Sequence, residues 1–341
     1  MKTVERLRAR EIVIYSLITV AVAFLCVFAG SVPTSLQDTA RSVFNAIRGI
    51  PQTDTVSTII LSVRLPRVLC AAFTGASLSL CGAVMQALLR NPLADGTTLG
   101  VSAGASLGAV LAIVFGVTFP ALPLTGTVIM AIAFAFLSML LVLLLSYSLD
   151  RSLSSVSIIL IGVVFSMFVS SITGLVTAFA GDKVKSVVFW TMGSLSGCGY
   201  QHVLLIMGAL LVCGFILMHN AAELNAFSVS EDNARQVGVR VRRVRLTVMI
   251  TVSVLIGVSV SISGTIGFVG LIIPHITRFI TGPNHKRLLP AALFFGAVFL
   301  MLCDLVARTV LNPVELSVGI VTSLIGAAVF IAVFIRSRKR R

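Results

Sequence analysis

Residues 121–147 read ALPLTGTVIMAIAFAFLSMLLVLLLSY, and no charged side chain interrupts them. A helix of about 20 apolar residues crosses the hydrocarbon core of a bilayer, so this stretch predicts a membrane-spanning helix. The whole chain has the same character, because 57% of its 341 residues are hydrophobic and only 11% are charged. A soluble domain carries about 25% charged residues. The composition therefore indicates an all-α integral membrane protein.

Nine further apolar stretches are candidates for crossing a bilayer, and together the ten predict ten transmembrane helices in a single domain covering residues 1–341. The predicted spans are 12–30, 64–88, 96–116, 121–147, 153–179, 199–219, 244–263, 268–281, 288–309 and 315–335. The eighth span is short and contains Pro274. The first follows a basic start, as a signal peptide does, but its length favours a retained membrane helix.

Lysine and arginine residues are distributed unevenly between the two sides of these spans. With the N-terminus in the cytoplasm, 19 of the 26 lie in cytoplasmic segments and 7 lie outside. Cytoplasmic loops of membrane proteins carry such an excess, so both termini are predicted to be cytoplasmic. Because the basic residues form short clusters between apolar runs, the net charge of +14 indicates topology and not a nucleic-acid partner.

Sequence signals of catalysis, metal binding and ion coupling are weak. The six cysteines form no C-x-x-C pair, which argues against a disulfide framework or a metal cluster. No G-x-x-x-x-G-K-[ST] motif occurs, so any ATP hydrolysis must come from a separate polypeptide. The acidic residues Asp95, Asp150, Asp304 and Glu315 lie near span ends, whereas ion-coupled carriers place such groups at mid-span. Two functions are therefore considered: a transporter driven by a separate ATPase and, as the alternative, an ATP-independent secondary transporter or channel.

Two local patterns predict packing and surface structure. Gly100, Gly104 and Gly108 recur at intervals of four, which predicts one helix face that another backbone can approach closely. Residues 35–47 read SLQDTARSVFNAI, with apolar positions at helical spacing. This second pattern predicts a short amphipathic helix on the outer surface.

A polar island lies at residues 221–245, AAELNAFSVSEDNARQVGVRVRRVR. Ser228 and Glu231 have capping-box spacing, and Gly238 is suited to a helix C-terminus, so 228–238 is predicted to contain a short cytoplasmic helix. A solvated loop with lipid-binding arginines is the alternative. The residues assigned to this helix are Ser228, Glu231, Asp232, Ala234, Arg235 and Gly238.

Four stretches resemble the FecCD family of ABC-importer permeases, whose relatives carry vitamin B12, haem and ferric siderophores. They are RLPRVLCAAFTGASLSLCGAVMQALLRNPLADGTTLGVSAGASLGA (64–109), FWTMGSL (189–195), GTIGFVGLIIPHITRFITGPNHKRLLPAALFFGA (264–297) and ELSVGIVTSLIGA (315–327). The similarity extends over nearly the whole chain. Gly96, Ser317 and Ala328 stand where the family usually has proline, which puts local helix-end geometry in question.

The resemblance implies a type II ABC-importer permease with ten membrane helices per subunit. Its partners would be a second permease subunit (the same chain or a related one), two cytoplasmic ATPases that bind ATP and Mg, and an extracytoplasmic binding protein. No cofactor is expected on this chain. The helix near 228–238 would then be the coupling helix that sits in a cleft of the ATPase. The permease itself would lie in the bacterial cytoplasmic membrane.

The resemblance also assigns roles to individual residues. Arg64, Arg67 and Arg308 would pair with glutamates of the binding protein, although interfacial anchoring is also consistent with their positions. Ser154 and Ser155 match a cytoplasmic gate, and helix capping is compatible with that role. For the translocation path we expect small polar contacts along span five, from Ser166, Ser170, Ser171 and Thr173. His275 and Arg278 are assigned an interfacial or capping role in preference to metal or haem ligation.

Overall fold

The computed structural model describes residues 7–30, 34–50, 52, 54–119, 125–151 and 154–338, and its regular elements are all helical. The α-helices are α1 (Ala9–Phe28), α2 (Leu36–Ile47), α3 (Thr55–Thr58), α4 (Leu65–Leu88), α5 (Val101–Phe115), α6 (Gly126–Leu149), α7 (Ser155–Ala178), α8 (Val184–Thr191), α9 (Tyr200–His219), α10 (Ala221–Val229), α11 (Glu231–Gln236), α12 (Val241–Ser263), α13 (Val269–Thr281), α14 (His285–Thr309) and α15 (Val318–Arg338). A π-helical segment, Ile59–Arg64, joins α3 to α4, and 3-10 turns occupy Gly96–Leu99 and Gly181–Lys183.

Seven helical segments of the described residues are long and apolar enough to cross a membrane: α1, the continuous segment Thr55–Leu88, α6, α7, α9, α12 and α14. Three shorter apolar helices, α5, α13 and the start of α15, coincide with the remaining predicted spans. The chain is therefore a multi-pass helical protein, and every predicted span overlaps a helix. The two chain ends and residues 121–124, where the fourth span was predicted to begin, lie outside the described residues.

Helix α4 is the centre of the bundle and is buried along most of its length. It packs against α14 and α13 through glycines. A methyl group added at Gly75 would lie 2.2 Å from the carbonyl oxygen of Gly296, and one at Gly82 would lie 1.9 Å from that of Gly270. Because no side chain fits between these backbones, small residues are what permit the contact. These contacts bring together the two longest stretches that resemble the family.

The second span begins earlier than predicted. The sequence placed its start at Arg64, but the helix begins at Thr55, where the carboxylate of Asp54 accepts a hydrogen bond from the backbone N–H of Ser57 at 2.9 Å. The chain then continues without a break through the π-helical segment into α4. As a consequence, Arg64 and Arg67 lie inside the helix and not at its mouth.

Helix α5 also differs from its prediction at one end. Gly100 precedes the helix with a left-handed φ of +71°, and a methyl group there would lie 2.7 Å from the ring of Phe165 in α7. Gly100 therefore does not share a helix face with the other two glycines. Gly104 and Gly108 do pack as predicted, against α6, where added methyl groups would lie 1.8 Å from Ser138 Oγ and 2.3 Å from the carbonyl oxygen of Met130.

The amphipathic helix predicted at 35–47 is present as α2, and its location on the outer surface stays a prediction. Ser35 caps it by accepting a hydrogen bond from the N–H of Asp38 at 3.0 Å. Its buried side is polar, and Ser42 shares a hydrogen bond of 2.8 Å with Ser57. Phe44, on the opposite side, is 52% exposed. Val43 packs against the hydrophobic core of the bundle, so only part of the apolar face of α2 is exposed.

Candidate functional site

The polar island folds into two short helices before α12. In α11 the N-cap is Ser230, whose hydroxyl accepts a hydrogen bond from the N–H of Asn233 at 2.9 Å. The prediction of Ser228 as this cap is wrong. Ser228 belongs to α10, where its hydroxyl donates to the carbonyl of Leu224 at 2.9 Å. The reason is the extended backbone of Ser230, with φ −165° and ψ 160°, which separates the two helices. Gly238 ends the turn as predicted, with φ +85°.

Glu231 connects α11 to the membrane helix that follows it. Its carboxylate accepts hydrogen bonds from Arg235 at 2.8 Å and from Arg245 of α12 at 2.7 Å. Burial raises the pKa of Glu231, but the hydrogen bond and charge of Arg245 outweigh it, so the net pKa lies below its ordinary value. Arg245 is only 1% exposed. This ion pair therefore joins α11 to the start of α12.

The solvent side of α11 offers both charge and apolar surface. Asp232 and Arg235 have side chains that are 86% and 58% exposed, while Ala234 is buried beneath them. Val229 and Val237, which flank the helix, are 71% and 64% exposed. The exposed surface of this segment thus combines charged side chains with two exposed valines.

The arginines predicted to dock a binding protein are buried in this chain. Arg67 lies between two carboxylates, with its Nε 3.0 Å from Asp304 and an Nη 2.8 Å from Glu315. Asp304 also lies 3.3 Å from Nε of Arg308, which is an ion-pair distance without hydrogen-bond geometry. Arg67, Arg308 and Asp304 are 7%, 3% and 1% exposed. These three residues and Glu315 form what we call the buried charge cluster.

Arg64 and Arg308 also hold the end of α1. An Nη of Arg64 donates to the carbonyl oxygens of Val27 and Phe28 at 3.1 and 2.8 Å, and Arg308 donates to the carbonyl of Cys26. Helix C-termini leave carbonyl groups without helical partners and attract cations. The arginines therefore join α1, α4 and α14, and an encounter with a partner's carboxylate requires one of these contacts to open.

Helix α7 carries the residues predicted for the path and the gate, and much of its apolar surface is uncovered. Exposed side chains on it include Leu160, Met167 and Phe168, at 62–67%. Ser154 is its N-cap and accepts a hydrogen bond from the N–H of Ser157 at 3.3 Å, so the capping role is present. The neighbouring Ser155 hydroxyl is buried and has no hydrogen-bond partner among the residues that the structure describes.

A cavity of about 550 Å³ lies between α5, α7 and the turn before α13. Ser166 and Ser170 line it, whereas Ser171 and Thr173 do not. Its other hydroxyl-bearing walls are Thr98, Ser102, Ser106 and Thr265. Among the described residues around this cavity none is charged. The sequence reasoning missed the α5 hydroxyls because it considered α5 only as a packing helix.

Three of the stretches that resemble the family meet at one junction beside this cavity. The hydroxyl of Thr265 donates to the carbonyl of Thr191, and a methyl group at Gly264 would lie 2.2 Å from the carbonyl oxygen of Trp190. A methyl group at Gly319 would lie 2.2 Å from the carbonyl of Met192. Spacing alone gave no signal of this convergence, because the stretches are far apart in the sequence.

His275 and Arg278 lie on α13 as structural residues. Arg278 donates to Oε1 of Gln86 at 2.6 Å, and Nε2 of Gln86 donates in turn to the carbonyls of Gly270 and Leu271. The ring of His275 packs edge-on against Phe279. Arg278 therefore helps to join α13 to α4, whereas the His275 contact lies within α13.

These helices and sites define a multi-pass membrane protein of transporter type. The FecCD transport family model matches residues 18–336, and the chain belongs to this family. An uncharacterized ABC transporter permease of Bacillus subtilis is 39% identical over 281 residues, 82% of this chain and 80% of that one. The hemin transport permease of Yersinia pestis is 33% identical, covering 87% of this chain and 89% of that one. The recognition of an ABC permease from sequence is thus confirmed.

A solved structure has the same fold. It is described as an inward-facing conformation of a metal-chelate type ABC transporter, and it superposes with a TM-score of 0.84 at 33% identity. The match covers 96% of this chain and 100% of the other. The all-helical ABC permease architecture is therefore secure over almost the full length.

Proposed function

We propose that this chain is the non-catalytic, membrane-spanning subunit of an ATP-driven importer that carries a bulky metal chelate inward. A ferric siderophore is the favoured cargo, with haem and cobalamin as alternatives, because relatives are named for iron chelatin, hemin and cobalamin. A further relative is named for molybdate. The common property of these cargoes is a metal centre surrounded by ligand atoms.

The observation that carries this proposal is the combination of an uncovered α7 with an uncharged, hydroxyl-lined cavity. Lipid alone could cover the apolar side chains of α7, but the cavity that α7 shares with α5 is lined by hydroxyl groups, which favours a water-filled path on this side of the helix. A second permease subunit beside α7 would enclose a path between the two chains. Hydroxyl and apolar walls permit passage of a large ligand without holding it, so selectivity would reside in the binding protein.

The proposed assembly has ten spans per subunit, both termini in the cytoplasm and two permease subunits, identical or related, in a bacterial cytoplasmic membrane. Two ATPases would bind ATP and Mg and contact α11. Closure of the ATPases would move α11, and the Glu231–Arg245 ion pair would pass the movement to α12. The binding protein would approach Arg64, Arg67 and Arg308 from outside, and its carboxylates would compete with Glu315, the most exposed member of the buried charge cluster.

Cysteine labelling at Ser170 tests the path. All six native cysteines are buried, so a membrane-impermeant thiol reagent gives little background on the unmodified protein. S170C should react at a rate that changes when ATP is added to the assembled importer. Leu140→Cys, on the exposed face of α6, is the matched control and should not react from lipid. If S170C resists the reagent in every nucleotide state, α7 does not line the path.

Purification of the native complex tests the assembly. The tagged chain, solubilised in mild detergent with nucleotide, should bring down two ATPase copies and a second permease subunit, counted by mass spectrometry. Absence of any ATPase would overturn the coupling role of α11 and favour a secondary transporter.

A further inference from the structure

A second cavity, of about 710 Å³, lies where α12 begins beside α11. Most of its lining is arginine. The five arginines are Arg151, Arg235, Arg240, Arg242 and Arg243. All five are exposed. We call this the arginine cavity.

The charge of this cavity is poorly compensated. Arg235 pairs with Glu231 at 2.8 Å. Among the described residues, no carboxylate lies within 4.0 Å of Arg151, Arg240, Arg242 or Arg243. Several guanidinium groups around one concave surface repel each other and concentrate anions there. The guanidinium fork also fits phosphate oxygens in a bidentate manner. The cavity is therefore suited to a phosphate-bearing ligand.

Apolar surface continues from the cavity along two helices. On α12, Leu246 lines the cavity and Ile250, one turn further on, is 42% exposed. On α6, Tyr147 lies under the guanidinium of Arg242, with 5.1 Å between the guanidinium carbon and the ring centroid. Leu144 and Leu140, on the same face of α6 as Tyr147, are 56% and 43% exposed.

This arrangement distinguishes a lipid from a free anion. A tyrosine at the boundary between arginines and leucines is typical of the membrane–water interface. A free phosphate would use only the arginines, whereas a phospholipid would also cover Leu140, Leu144 and Ile250 with its acyl chains. The charged cavity and the apolar face are contiguous, which is the pattern of an amphiphile with an anionic head.

We propose that the arginine cavity binds the headgroup of an anionic phospholipid, whose acyl chains lie along the exposed faces of α6 and α12. The bound lipid would sit beside α11 and neutralise the arginines that flank it. The site rests on the geometry of this single chain and does not depend on the cargo or the direction of transport.

The test measures lipid binding to the full-length chain by native mass spectrometry in detergent. Phosphatidylglycerol and phosphatidylcholine with identical acyl chains are titrated in parallel. We expect the wild type to bind phosphatidylglycerol more tightly. Arg242→Gln with Arg243→Gln should weaken that binding about 30-fold, since each arginine near an anionic headgroup contributes about a fivefold factor. Arg8→Gln with Arg10→Gln, which removes equal charge at the start of α1, is the control.

Three results would overturn the proposal. The first is equal binding of the two lipids by the wild type. The second is release of phosphatidylglycerol by millimolar inorganic phosphate, which would identify a site for a free anion. The third is unchanged lipid binding in R242Q/R243Q together with loss of co-purifying ATPase, which would identify a protein-docking surface. An unchanged melting temperature of the variant shows that it is folded, so weaker lipid binding is then a property of the site.

Discussion

Substitution of Asp304 by asparagine should strongly destabilise the end of the bundle where α1, α4 and α14 meet. Asp304 is 1% exposed and lies 3.0 Å from Arg67 and 3.3 Å from Arg308. With Glu315, the buried charge cluster contains two cations and two anions. Asparagine keeps the shape of the side chain but leaves the cluster with one uncompensated positive charge.

The size of the effect follows from the burial of the cluster. Removal of one partner from a buried ion pair costs about 3–5 kcal/mol, because the remaining charge has lost its solvent and gained nothing in return. Glu315 offsets only part of this cost, since its side chain is 37% exposed and solvent screens it. The Arg67–Asp304 ion pair also joins α4 to α14, so we expect local separation of these helices at a lower temperature.

A thiol-reactive fluorophore measures this transition directly, because all six cysteines are buried. Of these, Cys26 lies on α1, Cys70 on α4 and Cys303 on α14. D304N should react at a temperature several degrees below that of the wild type. Asp182→Asn, at an exposed position, should not change it. D304N combined with Arg308→Gln restores the charge balance and should recover part of the loss. Melting of D304N within one degree of the wild type would refute the reasoning.

Three further outcomes are expected. Gly108→Ala should cost about 1–3 kcal/mol by overpacking, measured as a lower melting temperature, while Gly174→Ala, in open space, should not; equal melting would contradict the α5–α6 contact. Glu231→Gln and Arg245→Gln should each reduce ligand-stimulated ATP hydrolysis by the assembled importer, and Asp182→Asn, at an exposed position outside α10–α12, should not; three similar activities would argue against this ion pair as the coupling joint. The pKa of Glu231 is lowered, so its contribution to stability is present above the unfolded pKa of about 4.3 and is lost as the pH falls through the folded value. The melting difference between wild type and E231Q should therefore be present at pH 7 and shrink below about pH 4, and a difference independent of pH would refute it.

Span positions could be predicted well because an apolar run is a local property of the sequence. Helices α6, α7 and α9 begin and end within a few residues of their predicted bounds. The start of the second span was missed because the hydroxyl-bearing residues of TVSTIILSV (55–63) are typical of a loop. In the structure these residues form the beginning of the helix. Ser228 was chosen as the cap because of its spacing to Glu231, but the extended backbone at Ser230 decided the boundary.

The arginines show where the sequence could not suffice. Arg67 was predicted to lie where the second span begins on the outer side, yet its partner Asp304 is 237 residues away in the chain. Neither residue carries a local signal of the other. Packing of α4 against α14 through Gly75 and Gly296 is what brings them together, and that packing depends on the complete bundle. Docking by these arginines stays a prediction.

Hydroxyl groups along α7 have a consequence for any ligand that passes them. Ser166, Ser171 and Thr173 each donate their proton to a backbone carbonyl four residues earlier, at 2.8, 3.0 and 2.9 Å. In Ser171 and Thr173 the proton is thereby occupied within the helix, which leaves the hydroxyl oxygen as an acceptor. An oxygen-rich ligand is itself mainly an acceptor, so it would gain no hydrogen bond from these two hydroxyls. This part of α7 can bind water and yet would hold such a ligand weakly.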